Sequence, residues 1–131
     1  MRILVAYDGS ESSRRALLHA AELVGRGGTV GVINVITSQA VSSRLETVDD
    51  GERARQRRLL QEARMRLAEH GVEIRPVKAF GDPTTEIRAA AENTGAGIVV
   101  VGRGSGVRRL IHGSVSTRLV RQAPCDVLVV H

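Results

Sequence analysis

Ile98-Val99-Val100-Val101-Gly102-Arg103-Gly104-Ser105-Gly106 is the stretch that decides the fold, together with Gly113-Ser114-Val115-Ser116 shortly after it. The continuous apolar run Ile98 to Val101 reads as a strand buried on both faces, the condition of a strand inside a parallel sheet. It empties into Gly102, Gly104 and Gly106, residues that take backbone angles closed to others and leave room for a ligand. Gly113-Ser114 opens a helix whose first-turn N–H groups have no intrahelical partner. Strand, glycine loop and helix start together outline a phosphate cradle. From Asn93 to Cys125 there is no Asp or Glu, whereas Arg103, Arg108, Arg109, Arg118 and Arg121 all fall there. Backbone donors among positive side chains suit this segment to an anion.

Upstream, Arg2 to Tyr7 is a short apolar run that reads as a buried first strand, with Asp8 at its C-terminal end. Ser10 is placed to cap the next helix, and Glu11 stands favourably in its first turn. Ala16, Leu17, Ala20, Ala21 and Val24 form that helix's apolar stripe, and Gly25, Gly27 and Gly28 stop it. Thr29 to Ile36 is β-branched and reads as a second strand. Thr37 to Val48 is polar without a steady period and reads as a long surface loop. From Asp50 to His70 the composition is helical, with Leu60, Ala63 and Leu67 on one side and Arg53, Arg57 and Arg64 on the other. Such a charged face is ordinarily solvated, and Glu62 and Arg66 form an i,i+4 pair. Val72 to Phe80 reads as a third strand, placed at a sheet edge by Pro76. Gly81-Asp82-Pro83 starts a helix with Asp82 as its cap, Pro83 first inside, and Ile87, Ala90 and Ala91 as its buried stripe. A last helix over Ser114 to Gln122 and a fifth strand over Asp126 to Val130 complete the order. Strands alternating with helices through one domain, residues 1–131, predict a parallel sheet covered on both faces with right-handed crossovers.

Composition narrows the function. Of 131 residues, 42% are hydrophobic and 25% charged, ordinary values for a soluble globular chain. No apolar stretch approaches the roughly 20 residues of a membrane span. The N-terminus lacks a signal-peptide pattern and Cys125 is the one cysteine, so the expectation is a cytoplasmic protein. A net charge of +5 invites a nucleic-acid reading. Against it, Tyr7 and Phe80 are the only aromatics, too few for a platform that stacks bases. No G-x4-G-K-[ST] motif occurs, and the sole lysine, Lys78, is far from the glycine loop. No Ser/His/Asp set or His/Cys cluster points to nucleophilic catalysis or zinc. Without a phosphate-gripping lysine or a base near the loop, the chain lacks the parts of an efficient hydrolase.

The opening ILVAYDGSESSRRAL, the turn Gly81-Asp82-Pro83, and the segment from Val99 through RRLIHGSVSTRLVRQAPCDVLVV resemble the universal stress protein family over the full length. The resemblance implies a three-layer α/β/α fold, a doubly wound five-stranded parallel sheet of order 3-2-1-4-5, and a homodimer formed through the last strand. One branch of that family binds ATP through a pattern written G-x2-G-x9-G-[ST]; another lacks the glycines and does not. Here the span from Gly102 to Gly113 is two residues shorter than the pattern, with Gly104 as candidate for the middle glycine and Gly106 second. The implied ligand is ATP, with Mg²⁺ carried by its phosphates. The resemblance places Ala6 and Val35 at the base, Asp8 at the ribose or a metal, and Gly102, Gly104, Gly113, Ser114 and Val115 at the phosphates. Ser116 joins them as a further candidate.

Plainer roles stand beside these. Asp8 also suits a turn former, Ser114 a helix cap, and Arg103, Arg108, Arg109 and His112 a solvated surface. The functional expectation is a nucleotide-binding stress-response switch with a protein partner of unknown identity. The alternatives are a slow ATPase using the same crevice, or a dimer acting through protein contacts alone. In a sheet of this order the chain reverses direction between strands one and four, so Asp8 and the glycine loop face one crevice.

Overall fold

The computed structural model describes residues 1–37, 50–103 and 115–131. Its first strand, β1 (Ile3–Ala6), sits at the centre of a five-stranded sheet, flanked by β2 (Thr29–Thr37) on one side and β4 (Ile98–Gly102) on the other. The edge strands are β3 (Glu73–Gly81) and β5 (Asp126–Val130), giving the order β3-β2-β1-β4-β5 with every neighbouring pair parallel. The four helices, α1 (Glu11–Val24), α2 (Asp50–Ala68), α3 (Pro83–Thr94) and α4 (Val115–Gln122), alternate with the strands. The order and class are those expected from the sequence.

Alternation along the strands divides the core between the two faces of the sheet. Ile3, Val5, Tyr7, Val30, Val32 and Val100 meet Ala16, Leu17, Ala20 and Ala21 of α1 and Leu60, Ala63 and Leu67 of α2. Leu4, Ile33, Val99 and Val101 meet Ile87, Ala90 and Ala91 of α3 and Leu119 of α4 on the opposite face. Because the central strands are buried on both sides, their runs are apolar throughout rather than alternating.

The boundaries follow the caps. The Ser10 side chain accepts a hydrogen bond from Ser13 N at 3.2 Å and starts α1. Asp82 accepts from Thr85 N at 3.0 Å, with Pro83 in the first turn of α3. Pro76 lies in β3, an edge strand, as its missing N–H requires. Thr37 extends β2 instead of beginning the loop expected after it, and pairs with Gly81. The rest of that loop, 38–48, lies outside the described residues.

Candidate functional site

A cleft of about 480 Å³, open to solvent, lies at the C-terminal ends of β1, β2 and β4. From β1 and its exit come Ala6, Tyr7 and Asp8, from β2 Ile33, Asn34 and Val35, and from β4 Val101 and Gly102. Pro83 and Ile87 of α3 close one side, and Val115 and Ser116 bring the start of α4 to the cleft. The parallel ladder explains the opening. β1 stops at Ala6, opposite Ile33, while β2 continues beside β3 to Thr37. The chain also reverses between β1 and β4, so the crossovers diverge there and leave a crevice uncovered.

Six of the ten residues singled out in the sequence meet around this cleft: Ala6, Asp8, Val35, Gly102, Val115 and Ser116. The other four, Gly104, Gly106, Gly113 and Ser114, lie outside the described residues, as do Arg108, Arg109 and His112. Arg103 is described and is not part of the lining. Its side chain lies 3.2 Å from His131 Nδ1, beyond the end of β5, and its N–H donates to Val130 O.

The local chemistry at Asp8 realises the turn. Asp8 Oδ1 accepts from Ser10 N at 2.9 Å, and Gly9 between them holds a φ of 83°. This turn delivers the chain from β1 into α1 within four residues. Gly102 answers a different need. A β-carbon there would stand 2.5 Å from the carbonyl carbon of Ser12 and 2.7 Å from Ser13 N. The first turn of α1 therefore rests directly on the end of β4, and only glycine leaves it room.

Sequence reasoning passed over Tyr7 and Asn34. Tyr7 is 1% exposed, and its hydroxyl donates a short hydrogen bond to Glu62 of α2. Arg14 and Arg66 each lie 3.5 Å from the same carboxylate oxygen. Burial first, and the Glu62 contact second, push the Tyr7 phenol up to about 12. The Tyr7 hydroxyl, with Arg14 and Arg66 behind it, holds the Glu62 carboxyl below its ordinary range against the opposing effect of burial. Asn34 is 4% exposed and donates from Nδ2 to Tyr7 O at 2.8 Å. A lone amide inside the run Thr29 to Ile36 was a visible break in an otherwise apolar strand. The Tyr7–Glu62 pair, separated by 55 residues, left no comparable mark.

At the rim, burial pushes the Asp82 carboxyl up, but hydrogen bonds from Thr85 and the Arg118 guanidinium outweigh it and hold the group below its ordinary range. Arg118 reaches Asp82 at 3.5 Å and ties α4 to α3. Cys125, expected to be a small buried hydrophobe, is half-buried beside Asp126, and burial raises its thiol. Among the described residues no group of three or more His, Cys, Asp or Glu could hold a metal, and no helix is long and apolar enough to cross a membrane.

The sheet order and the crevice at its reversal define a doubly wound α/β protein with a ligand-sized cleft at the switch point. The family model described as the universal stress protein family matches residues 1–131, and the chain belongs to that family. YxiE, a universal stress protein of Bacillus subtilis, is 32% identical over 149 residues, covering 98% of this chain and 97% of its own. A universal stress protein of Archaeoglobus fulgidus, solved in complex with dAMP, is 24% identical with a TM-score of 0.80, covering 100% of this chain and 98% of that one. A universal stress protein solved in complex with cAMP is 24% identical with a TM-score of 0.76, covering 100% and 96%. At that identity the two solved structures bear on the fold.

Proposed function

We propose that the cleft binds an adenine nucleotide, ATP first among them with Mg²⁺ carried on its phosphates, in a cytoplasmic homodimer that acts as a switch. The observation that carries this reading is the pairing of surfaces in one cleft. Ala6, Val35, Ile87 and Val101 offer an apolar seat for a flat base, and the first residues of α4 offer the positive end of a helix for phosphate. Asp8, half-buried between the two, is placed for a ribose hydroxyl or a metal carried by the ligand. Gly102, Gly104, Gly106, Gly113, Ser114, Val115 and Ser116 take the phosphates. Two proteins of this fold hold dAMP and cAMP, both adenine nucleotides, which supports the choice of base.

The dimer follows from the two sheet edges. β3 carries Pro76 with the charged Arg75 and Lys78 around it, devices that discourage strand pairing. β5 reads Asp-Val-Leu-Val-Val, with Leu128 37% exposed, and its edge suits pairing with a second copy about a two-fold axis.

Thermal unfolding with and without ATP tests the nucleotide reading. At a hundred times its Kd, ATP stabilises by about 2.7 kcal/mol and raises Tm. Val35→Asp, which sets an unpaired carboxylate into the apolar seat, abolishes the rise. A folded protein whose Tm does not move in millimolar ATP refutes the assignment.

A further inference from the structure

Helix α2 lends no residue to the described walls of the cleft, yet two of those walls are fastened to it. Main-chain pairing between β1 and β2 ends with Tyr7 N donating to Ile33 O at 2.9 Å. β2 and β3 run on as a two-stranded overhang to Thr37 and Gly81, and this overhang carries Val35. The Tyr7 carbonyl, the next acceptor along β1, takes the Asn34 side-chain amide at 2.8 Å. Gln56 of α2, 6% exposed, then reaches across the overhang. Its Nε2 lies 2.8 Å from Asn34 O, 3.2 Å from Asn34 Oδ1 and 3.1 Å from Ala79 O. One side-chain amide thus serves two strands and steadies the Asn34 group that spans the gap to β1. Tyr7 is tied to the same helix a second time, through its hydroxyl and Glu62.

Acceptors buried this way lose a donor that no water replaces, so the overhang shifts when Gln56 is removed. We propose that Gln56 is a positioning residue of the cleft: it sets the separation of the β1 and β2 rims and makes α2 the helix that responds when the cleft fills. The proposal rests on the nucleotide reading above. A ligand seated between Ala6 and Val35 immobilises Tyr7 and Asn34, and both hand that restraint to α2 through side-chain hydrogen bonds. The outer side of α2 carries Arg53, Arg57 and Arg64, all exposed, so a change in this helix reaches the surface as a change in a cationic face.

Amide hydrogen exchange with and without ATP, alongside ATP titration, tests the proposal. In the parent protein ATP slows exchange across α2 as well as at the cleft. Gln56→Leu binds ATP about tenfold more weakly, the ratio that one or two lost hydrogen bonds produce, and loses the α2 response while α4 is still protected. Gln56→Glu, of the same shape without the N–H donors, behaves as Gln56→Leu. Gln56→Lys, which restores a donor, recovers affinity and response. A merely structural role lowers Tm in Gln56→Leu but leaves Kd and the α2 response unchanged, and that result overturns the proposal. So does a parent protein that binds ATP with α2 exchange unaltered, a measurement that needs no variant to fold. Absence of any ATP-induced rise in Tm overturns the nucleotide reading and this proposal together.

Discussion

Replacing Gly102 by alanine isolates one close approach on which both the packing and the cleft depend. The added methyl would meet the Ser12 carbonyl carbon and Oγ at 2.5 Å and Ser13 N at 2.7 Å. Carbon atoms settle at about 3.5–4.0 Å, so about 1 Å must be found. Ser12 Oγ can rotate away; the carbonyl carbon and the amide nitrogen cannot, being main chain in the first turn of α1. That turn is held by the Ser10 cap, and Ser12 and Ser13 are buried. The helix start therefore lifts from β4, loosening Ala16 and Leu17 behind it. Overpacking of this kind costs about 1–3 kcal/mol, and contact with main chain on both sides puts Gly102→Ala at about 2–3 kcal/mol. Gly97→Ala is the control, because its methyl finds only Arg2 O, at 3.8 Å. It should match the parent or exceed it by up to about 1 kcal/mol through the reduced freedom of the unfolded chain. Urea unfolding followed by circular dichroism compares the two, with m unchanged so that the midpoints report stability. Equal midpoints for Gly102→Ala and Gly97→Ala would show that α1 does not rest on β4 as described.

Two further outcomes follow from particular contacts. Tyr7 is the only tyrosine, so its ionisation can be followed by tyrosinate absorbance without interference. Its phenol, pushed up to about 12, keeps its proton in the native state where an unfolded chain ionises near about 10. The native state then binds more protons than the unfolded one, and stability falls as pH rises across that window. Tyr7→Phe removes this alkaline slope and costs about 1–2 kcal/mol at neutral pH; an unchanged slope would show that another group is responsible. Leu128→Glu sets charges of the same sign against each other across paired β5 edges and leaves the fold intact, giving a monomer by sedimentation where the parent sediments as a dimer.

Much of the architecture was legible because local chemistry and tertiary demand agree. Pro76 marked an edge strand, Asp82-Pro83 marked a helix start, and Ser10 marked a cap, each through a backbone requirement that its neighbours alone satisfy. The cleft was legible where it is built from strand ends. Ala6, Asp8, Val35 and Gly102 are residues at which an apolar run stops, and in a parallel sheet such stops share one side. Arg103 misled because its place in an acid-free segment says nothing of direction; beside β5 it turns toward His131 rather than into the cleft.

Period and punctuation along the chain were enough for the order of elements, the two-sided burial of the central strands and the family. Those depend on neighbours within a few residues, where spacing has a direct geometric meaning. Only the folded chain joined Tyr7 to Glu62 and Gln56 to Asn34 and Ala79. It also brought the first turn of α1 against Gly102. Such contacts arise from how far β1 stops short of β2 and how closely helices settle on the sheet. These are distances between distant segments, and no local pattern in the chain encodes them.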